Sequence, residues 1–180
     1  RDELDKAVRQ EYHYMSANRI NGMVTHYESI TKRYLWKMPD SMYEPLTQSQ
    51  YGMVAGQLHD EIEQNYKIYK EGFNKPMPFF IDAPQADNGK LKLSWDASFD
   101  FHNEDLSYDV TVGRDYLCKD VVFSKTNLAL SQVVADLPAD GQYFVHVQAR
   151  NASGKTQDAF DYYMAENGKT YGTRCFYIKS

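Results

Sequence analysis

The stretch Leu137-Pro138-Ala139-Asp140-Gly141-Gln142-Tyr143-Phe144-Val145-His146-Val147-Gln148-Ala149-Arg150-Asn151-Ala152-Ser153-Gly154 reads as one β-strand with a turn at each end. Pro-Ala-Asp-Gly opens it and Asn-Ala-Ser-Gly closes it, both clusters of residues that favour turn geometry over a ladder. Between them Tyr143, Val145, Val147 and Ala149 alternate with Phe144, His146, Gln148 and Arg150. A period of two places the first set on one face, so a half-buried antiparallel strand is expected. Leu137 stands six residues before Tyr143, a spacing that lets the tyrosine hydroxyl fold back onto the backbone of the turn.

The same alternation recurs on both sides. Residues 79–81 read as a first edge strand. Leu91, Leu93 and Trp95 then alternate with Lys90, Lys92 and Ser94, and Tyr108, Val110 and Val112 with Asp109 and Thr111. Shorter strands are expected at 121–123 and 128–134, and a last one at 173–179 with Phe176 and Ile178 inward. Seven short strands, a tryptophan on the second and the leucine–tyrosine spacing together resemble a fibronectin type III domain, an immunoglobulin-like sandwich. Such sandwiches are commonly binding or spacer modules, so no active site is expected in this part. One segment exceeds the minimal module. Residues 155–172 carry Tyr162, Tyr163, Asn167-Gly168 and Tyr171, and Asn-Gly between two candidate strands predicts an elaborated loop with a hairpin.

Ahead of the strands the period changes to that of helices. Leu4, Val8, Tyr12 and Met15 mark a first helix. Ile20, Met23, Val24, Tyr27, Ile30, Tyr34 and Leu35 mark a second, opened by Ser16 and stopped by Pro39. Tyr51, Val54, Leu58, Ile62, Tyr66, Tyr69 and Phe73 line one face of a third, capped by Thr47 or Ser49. These tyrosines and methionines are read as helix packing, and no cofactor is assigned. Pro76 and Pro78 cannot continue a helix. The expected organisation is α+β in two parts: residues 1–77, an α-helical segment of about three helices, and residues 78–180, an all-β fibronectin type III or immunoglobulin-like sandwich. Met77, Phe79, Phe80 and Ile81 make the junction apolar, and Phe144, His146 and Tyr177 are expected to give the sandwich an outward face able to accept a helix.

Composition narrows the partners. The 180 residues carry a net charge of −5, with 10 basic against 12 acidic residues up to Pro84 and 10 against 13 beyond it. Neither half is a basic footprint, so no nucleic-acid partner is expected. No run approaches the about 20 apolar residues of a membrane span, and no membrane insertion is expected. The opening Arg1-Asp2-Glu3-Leu4-Asp5 reads as an internal piece of a longer protein. Cys118 is expected in the turn after the third strand and Cys175 in the last strand, about two strand spacings or roughly 10 Å apart, which is beyond disulfide reach.

Candidate chemistry is sparse. Residues 149–156, Ala-Arg-Asn-Ala-Ser-Gly-Lys-Thr, match a relaxed phosphate-loop pattern, but a strand-to-turn context replaces the strand-to-helix one that phosphates need. Asp96, Asp100, Glu104, Asp105 and Asp109 form an acidic loop that could hold Ca²⁺ or stand as solvated Asx turns, and no metal is assigned. His59 lacks a second histidine four residues on. Tyr162, Tyr163 and Tyr171 are the candidate binding residues, since tyrosine faces and hydroxyl tips serve protein or sugar recognition; packing of the hairpin onto the sandwich or the helices is the other reading. No residue is assigned a catalytic role.

Residues 93–101 (Leu-Ser-Trp-Asp-Ala-Ser-Phe-Asp-Phe), 106–110 (Leu-Ser-Tyr-Asp-Val), Arg114-Asp115, 157–163 (Gln-Asp-Ala-Phe-Asp-Tyr-Tyr), 63–69 on the last helix and Pro76-Met77-Pro78 resemble the C-terminal region of the spore coat protein H family of bacterial secreted or surface proteins. The resemblance implies an atypical kinase domain upstream and an extracellular or cell-surface location. The expectation for this chain is a non-catalytic structural or interaction module, with a protein, a cell-surface polysaccharide or the upstream domain as partner. Two rivals are a carbohydrate-binding accessory module and a helical part that completes an upstream kinase-like active site.

Overall fold

The computed structural model describes residues 2–38, 42–43, 46–136 and 138–179. They form two compact units, Arg1–Lys70 and Glu71–Ser180.

The first unit is three helices: α1 (Asp2–Tyr14), α2 (Ala17–Thr31) and α3 (Gln48–Gly72). α1 and α3 run antiparallel, because Asp5 pairs with Lys70 at 3.5 Å while Tyr12 stacks on Tyr66 with ring centres 3.9 Å apart. Thr47 opens α3 through a reciprocal cap. Its hydroxyl accepts the N–H of Gln50 at 3.3 Å, and the Gln50 side chain accepts the N–H of Thr47 at 2.8 Å. Ser16 precedes α2 in an extended conformation but makes no side-chain cap bond. α2 ends at Thr31, earlier than the apolar rhythm suggests, and Pro39 lies outside the described residues. The Thr31 hydroxyl donates back to the Tyr27 carbonyl, the N–H groups of Tyr34 and Leu35 both turn onto the Thr31 carbonyl, and Trp36 sits at φ 60. Side-chain back-bonding of this kind competes with helix continuation. Among the described residues of this unit, Ile20 is the one buried hydrophobic side chain.

The second unit is a sandwich of two antiparallel sheets. β1 (Gln85–Asp87), β2 (Lys90–Ser94) and β5 (Gln132–Asp136) form one sheet in the order β1-β2-β5. The other runs β10-β6-β3-β4, from β10 (Thr173–Ile178), β6 (Gly141–Asn151), β3 (Leu106–Gly113) and β4 (Val121–Leu128), with β7 (Thr156–Asp158) paired to the end of β6. This is the strand arrangement of a fibronectin type III domain, with one insertion between its last two strands. That insertion is a separate hairpin, β8 (Tyr162–Ala165) and β9 (Gly168–Tyr171). Asn88 and Gly89, at φ 48 and 74, make the two-residue turn between β1 and β2, a turn whose twist requires left-handed backbone at both positions.

One hydrophobic core joins the sheets. Leu91, Leu93, Trp95 and Val133 meet Tyr108, Val110, Val112, Tyr143, Val145, Val147, Phe176 and Ile178 in a single buried cluster. Full burial of a valine or leucine is worth roughly 1.5–3 kcal/mol against exposure, so the inward faces of β2, β3 and β6 supply most of the drive for folding. Tyr143 is inward, and its hydroxyl donates to the Ala139 carbonyl at 2.9 Å. Leu137 lies outside the described residues.

Several expected elements differ. Residues 79–81 are not a ladder strand; Ile81 makes an isolated bridge to Trp95. Its N–H goes to the Asp161 carboxylate at 2.7 Å and its carbonyl accepts from Arg174, so side chains take the groups a neighbouring strand would have used. β4 extends to Leu128 by way of a register shift between Tyr108 and Val110, and β5 starts only at Gln132. Phe144 stands on the outer face of β6, in step with His146, but it is covered rather than open to a helix. It is buried, with Tyr163 of the inserted hairpin set edge-on against it at 5.0 Å, whereas Tyr177 is 72% exposed.

Residues after α3 belong to the sandwich. Phe73 packs on Phe101 at 5.4 Å, and the Met77 N–H reaches the Phe99 carbonyl at 2.9 Å. The Asn151 side-chain amide donates to the Asn74 carbonyl at 3.2 Å and to the Asp100 carboxylate at 3.0 Å, and both Asn151 and Asp100 are buried.

Candidate functional site

The inserted hairpin divides the three candidate tyrosines. Tyr162 pairs with Tyr171 across the hairpin and Tyr163 pairs with Thr170. Neighbouring residues on a strand point to opposite faces, so Tyr162 and Tyr171 share one face and Tyr163 takes the other. Tyr163 faces its own sandwich, stacked on Tyr116 at 5.6 Å and set against Phe144. It anchors the hairpin. The turn is Glu166-Asn167, with Gly168 at φ 119 opening β9, one residue out of step with the Asn167-Gly168 turn expected from sequence.

Tyr162 and Tyr171 continue into a row of exposed rings. Tyr162 lies 5.8 Å from Tyr171, Tyr171 lies 6.5 Å from Phe160, and Phe160 lies 5.5 Å from Phe80. Each is about half exposed, and Met164 stands beside them. The Lys169 ammonium sits 4.3 Å over the Tyr162 ring. Phe80 and Phe160 join this site although neither is among the three tyrosines expected from sequence. The signal was present in Phe160-Asp161-Tyr162, where a period of two puts Phe160 and Tyr162 on one side.

The base of the hairpin is fixed by Gly172. Its N–H is shared between the carbonyls of Ala159 and Asp161, its carbonyl accepts from Val147, and its φ is 76. A Cβ there would lie 2.6 Å from His146 Nε2, so the backbone approaches the imidazole as closely as only glycine allows. Burial holds the His146 imidazole below its ordinary value of 6.5, against the opposing charge of Asp158 at 3.6 Å.

The remaining candidates are structural groups. Burial and the nearby Asp115 charge push the Cys118 thiol up to about 11, so at neutral pH it is not a thiolate nucleophile. Cys118 and Cys175 are both free. Burial raises the Asp100 carboxyl, but bonds from Asn151 and from the N–H groups of His102 and Glu104 outweigh it and leave it below the usual carboxylate range. Asp109 is likewise pushed up by burial and brought down further by Arg150 and the Asn127 N–H. Glu104 accepts from Ser153 at 2.7 Å, and Asp96 accepts from Phe80. Four carboxylates of the acidic loop thus face protein donors. Residues 149–156 form the tight β6–β7 connection, with Arg150 paired to Thr156 in an antiparallel ladder and no helix following. Among the described residues, His59, Asp60 and Glu63 are the one group with three ligand atoms close enough for a metal, on the exposed side of α3.

No family model and no curated protein matches the chain. Among solved structures it is similar to the spore cortex lytic enzyme SleM of Clostridium perfringens at 14% identity, over 56% of this chain and 27% of that one, with a TM-score of 0.33. It is also similar to a domain called FN3tt mut at 14% identity, over 47% of this chain and 92% of that one, with a TM-score of 0.29. The chain thus spans about a quarter of the length of the enzyme. The strand order and the shared core, rather than these likenesses, carry the assignment of the fold.

Proposed function

We propose that this chain is a non-catalytic interaction module whose sandwich presents Phe80, Phe160, Tyr162, Tyr171 and Met164 to a protein partner. The observation that carries it is the continuous row of half-exposed rings that runs from Phe80 onto the insertion between the last two strands. Aromatic residues and methionine are enriched where proteins meet, and clustered exposed rings mark such sites. Successive rings are tilted by 51–71° rather than coplanar, which suits a contoured polypeptide surface better than a flat glycan platform. On the strength of the sequence resemblance, the parent is a secreted or surface protein of the spore coat protein H kind, and the partner is extracellular or the upstream part of that parent. Among the described residues no helix is long and apolar enough to cross a membrane.

Photo-crosslinking tests this. A benzophenone amino acid replaces Tyr171 in one variant and Tyr177, an exposed tyrosine of β10 outside the row, in another, within the parent protein in its own cells. A discrete protein adduct from position 171 and none from position 177 is expected. No adduct, or the same adducts from both positions, would sink the reading.

A further inference from the structure

On the side of the sandwich that the hairpin partly covers lies a half-open cleft of about 350 Å³. Its floor is set by register. Thr173 of β10 stands opposite His146 of β6, and His146 stands opposite Thr111 of β3, so three adjacent strands lay a hydroxyl, an imidazole and a hydroxyl in one line. Thr111 in turn faces Ser124 of β4, with the two hydroxyls 3.3 Å apart. The walls are Tyr116, from the loop after β3, and Thr170 with Tyr171, from the hairpin. No charged side chain is among those lining the cleft. Thr173 is 1% exposed, and its hydroxyl has no hydrogen-bond partner among the described residues. An unsatisfied hydroxyl at that depth costs free energy, which a ligand supplying its partner would recover.

We propose that this cleft binds a single neutral pyranose ring, such as an exposed sugar unit of a glycan. A sugar offers apolar C–H faces and a rim of hydroxyls that both donate and accept. Tyr116 and Tyr171 supply ring surface for the faces. Thr111, His146, Thr170 and Thr173 supply groups that donate and accept in turn, for the rim. The lack of lining cations disfavours phosphate, sulfate or carboxylate ligands, which need lysine, arginine or a helix N-terminus. The volume fits one ring plus water and falls at the low end of small-molecule sites. Burial favours the neutral imidazole of His146, which accepts a hydrogen bond at one ring nitrogen and donates one from the other. The cleft shares Tyr171 with the protein-binding row but includes none of Phe80, Phe160 and Tyr162, so the two readings are told apart at Thr111, His146, Thr170 and Thr173, which belong to the cleft alone.

The experiment is a titration of the full chain with the methyl glycosides of glucose, galactose, mannose and N-acetylglucosamine, followed by two-dimensional amide NMR, with phosphate and sulfate in parallel. At least one sugar is expected to give saturable shifts centred on Thr111, His146, Thr170 and Thr173, with neither anion doing so. Thr111→Val and Thr173→Val should each weaken binding roughly two- to tenfold, the worth of one hydrogen bond. Thr170→Trp should fill the cleft and abolish binding while unfolding at the wild-type temperature within a few degrees. Should the Thr173 variant fail to fold, saturation transfer from Tyr116 and Tyr171 to the sugar in the unaltered chain replaces it. No saturable shift with any of the four sugars, shifts centred on Phe160 and Tyr162, or saturable anion binding in the cleft would each overturn the proposal.

Discussion

The Tyr143 hydroxyl donates to the carbonyl oxygen of Ala139 at 2.9 Å, tying the first inward residue of the central strand to the turn that precedes it. The ring belongs to the core and packs 5.9 Å from Phe176, so one side chain both fills the interior and pins a loop. The two roles separate by mutation. Tyr143→Phe removes the hydrogen bond alone and should cost on the order of 1 kcal/mol. Tyr143→Ala also leaves a cavity and should cost about 3 kcal/mol or more. Urea unfolding of both variants measures the difference, and equal losses would show the hydroxyl to be idle.

Asn151→Ala should destabilise the sandwich by about 2 kcal/mol, because it strips a donor from the buried Asp100 carboxylate and a partner from the Asn74 carbonyl. Ser153→Ala should cost about 0.5 kcal/mol or less, since its hydroxyl contact with Glu104 is exposed. A chemical-denaturation pair checks both. Equal small losses would mean the Asp100 carboxylate finds other donors.

His146 predicts a pH dependence with a definite sign. Burial lowers its folded value below 6.5, so as pH falls through 6.5 the unfolded chain takes up a proton that the folded chain refuses. Stability should therefore decline on acidification from that point, before the carboxylates of Asp100 and Asp109 are protonated. Melting temperatures measured from pH 7.5 to 5 should fall in the parent and fall less in His146→Gln. A slope unchanged by the substitution would assign the effect to another group.

Two thiols should be alkylated when the chain is unfolded without reductant. In the folded protein at neutral pH, Cys118 should react far more slowly than Cys175, since burial and Asp115 hold it protonated with a value of about 11. Timed labelling and peptide mass mapping give the order, and faster labelling of Cys118 would contradict the geometry of the loop.

Gly154→Ala and Gly172→Ala place the same methyl group at nearly the same φ, 78 and 76. The first meets nothing within 4 Å and should cost only the backbone term, about 1–2 kcal/mol. The second also drives a Cβ to 2.6 Å from His146 Nε2 and should cost measurably more, with the hairpin amides shifted in NMR spectra. Equal costs would show that the imidazole yields freely.

Local rules made much of this architecture readable in advance. The inward set Tyr143, Val145, Val147 and Ala149 followed from alternation alone, because a pleated strand leaves no other way to segregate apolar from polar side chains. Thr47, one of the two caps expected for α3, does open it, since a cap acts through neighbouring backbone. Residues 79–81 looked like a strand by composition, yet the N–H and carbonyl of Ile81 went to Asp161 and Arg174, partners far away in sequence that no local pattern names. The same holds for the candidate sites. That tyrosines cluster at 162, 163 and 171 was determined by the sequence. Which of them is an anchor and which is exposed depended on the face the hairpin turned to the sandwich. The line of Thr173, His146 and Thr111 existed only once three strands distant in sequence were brought into register, because register is fixed by the packing of the opposite face and by the turns, not by the residues that it aligns.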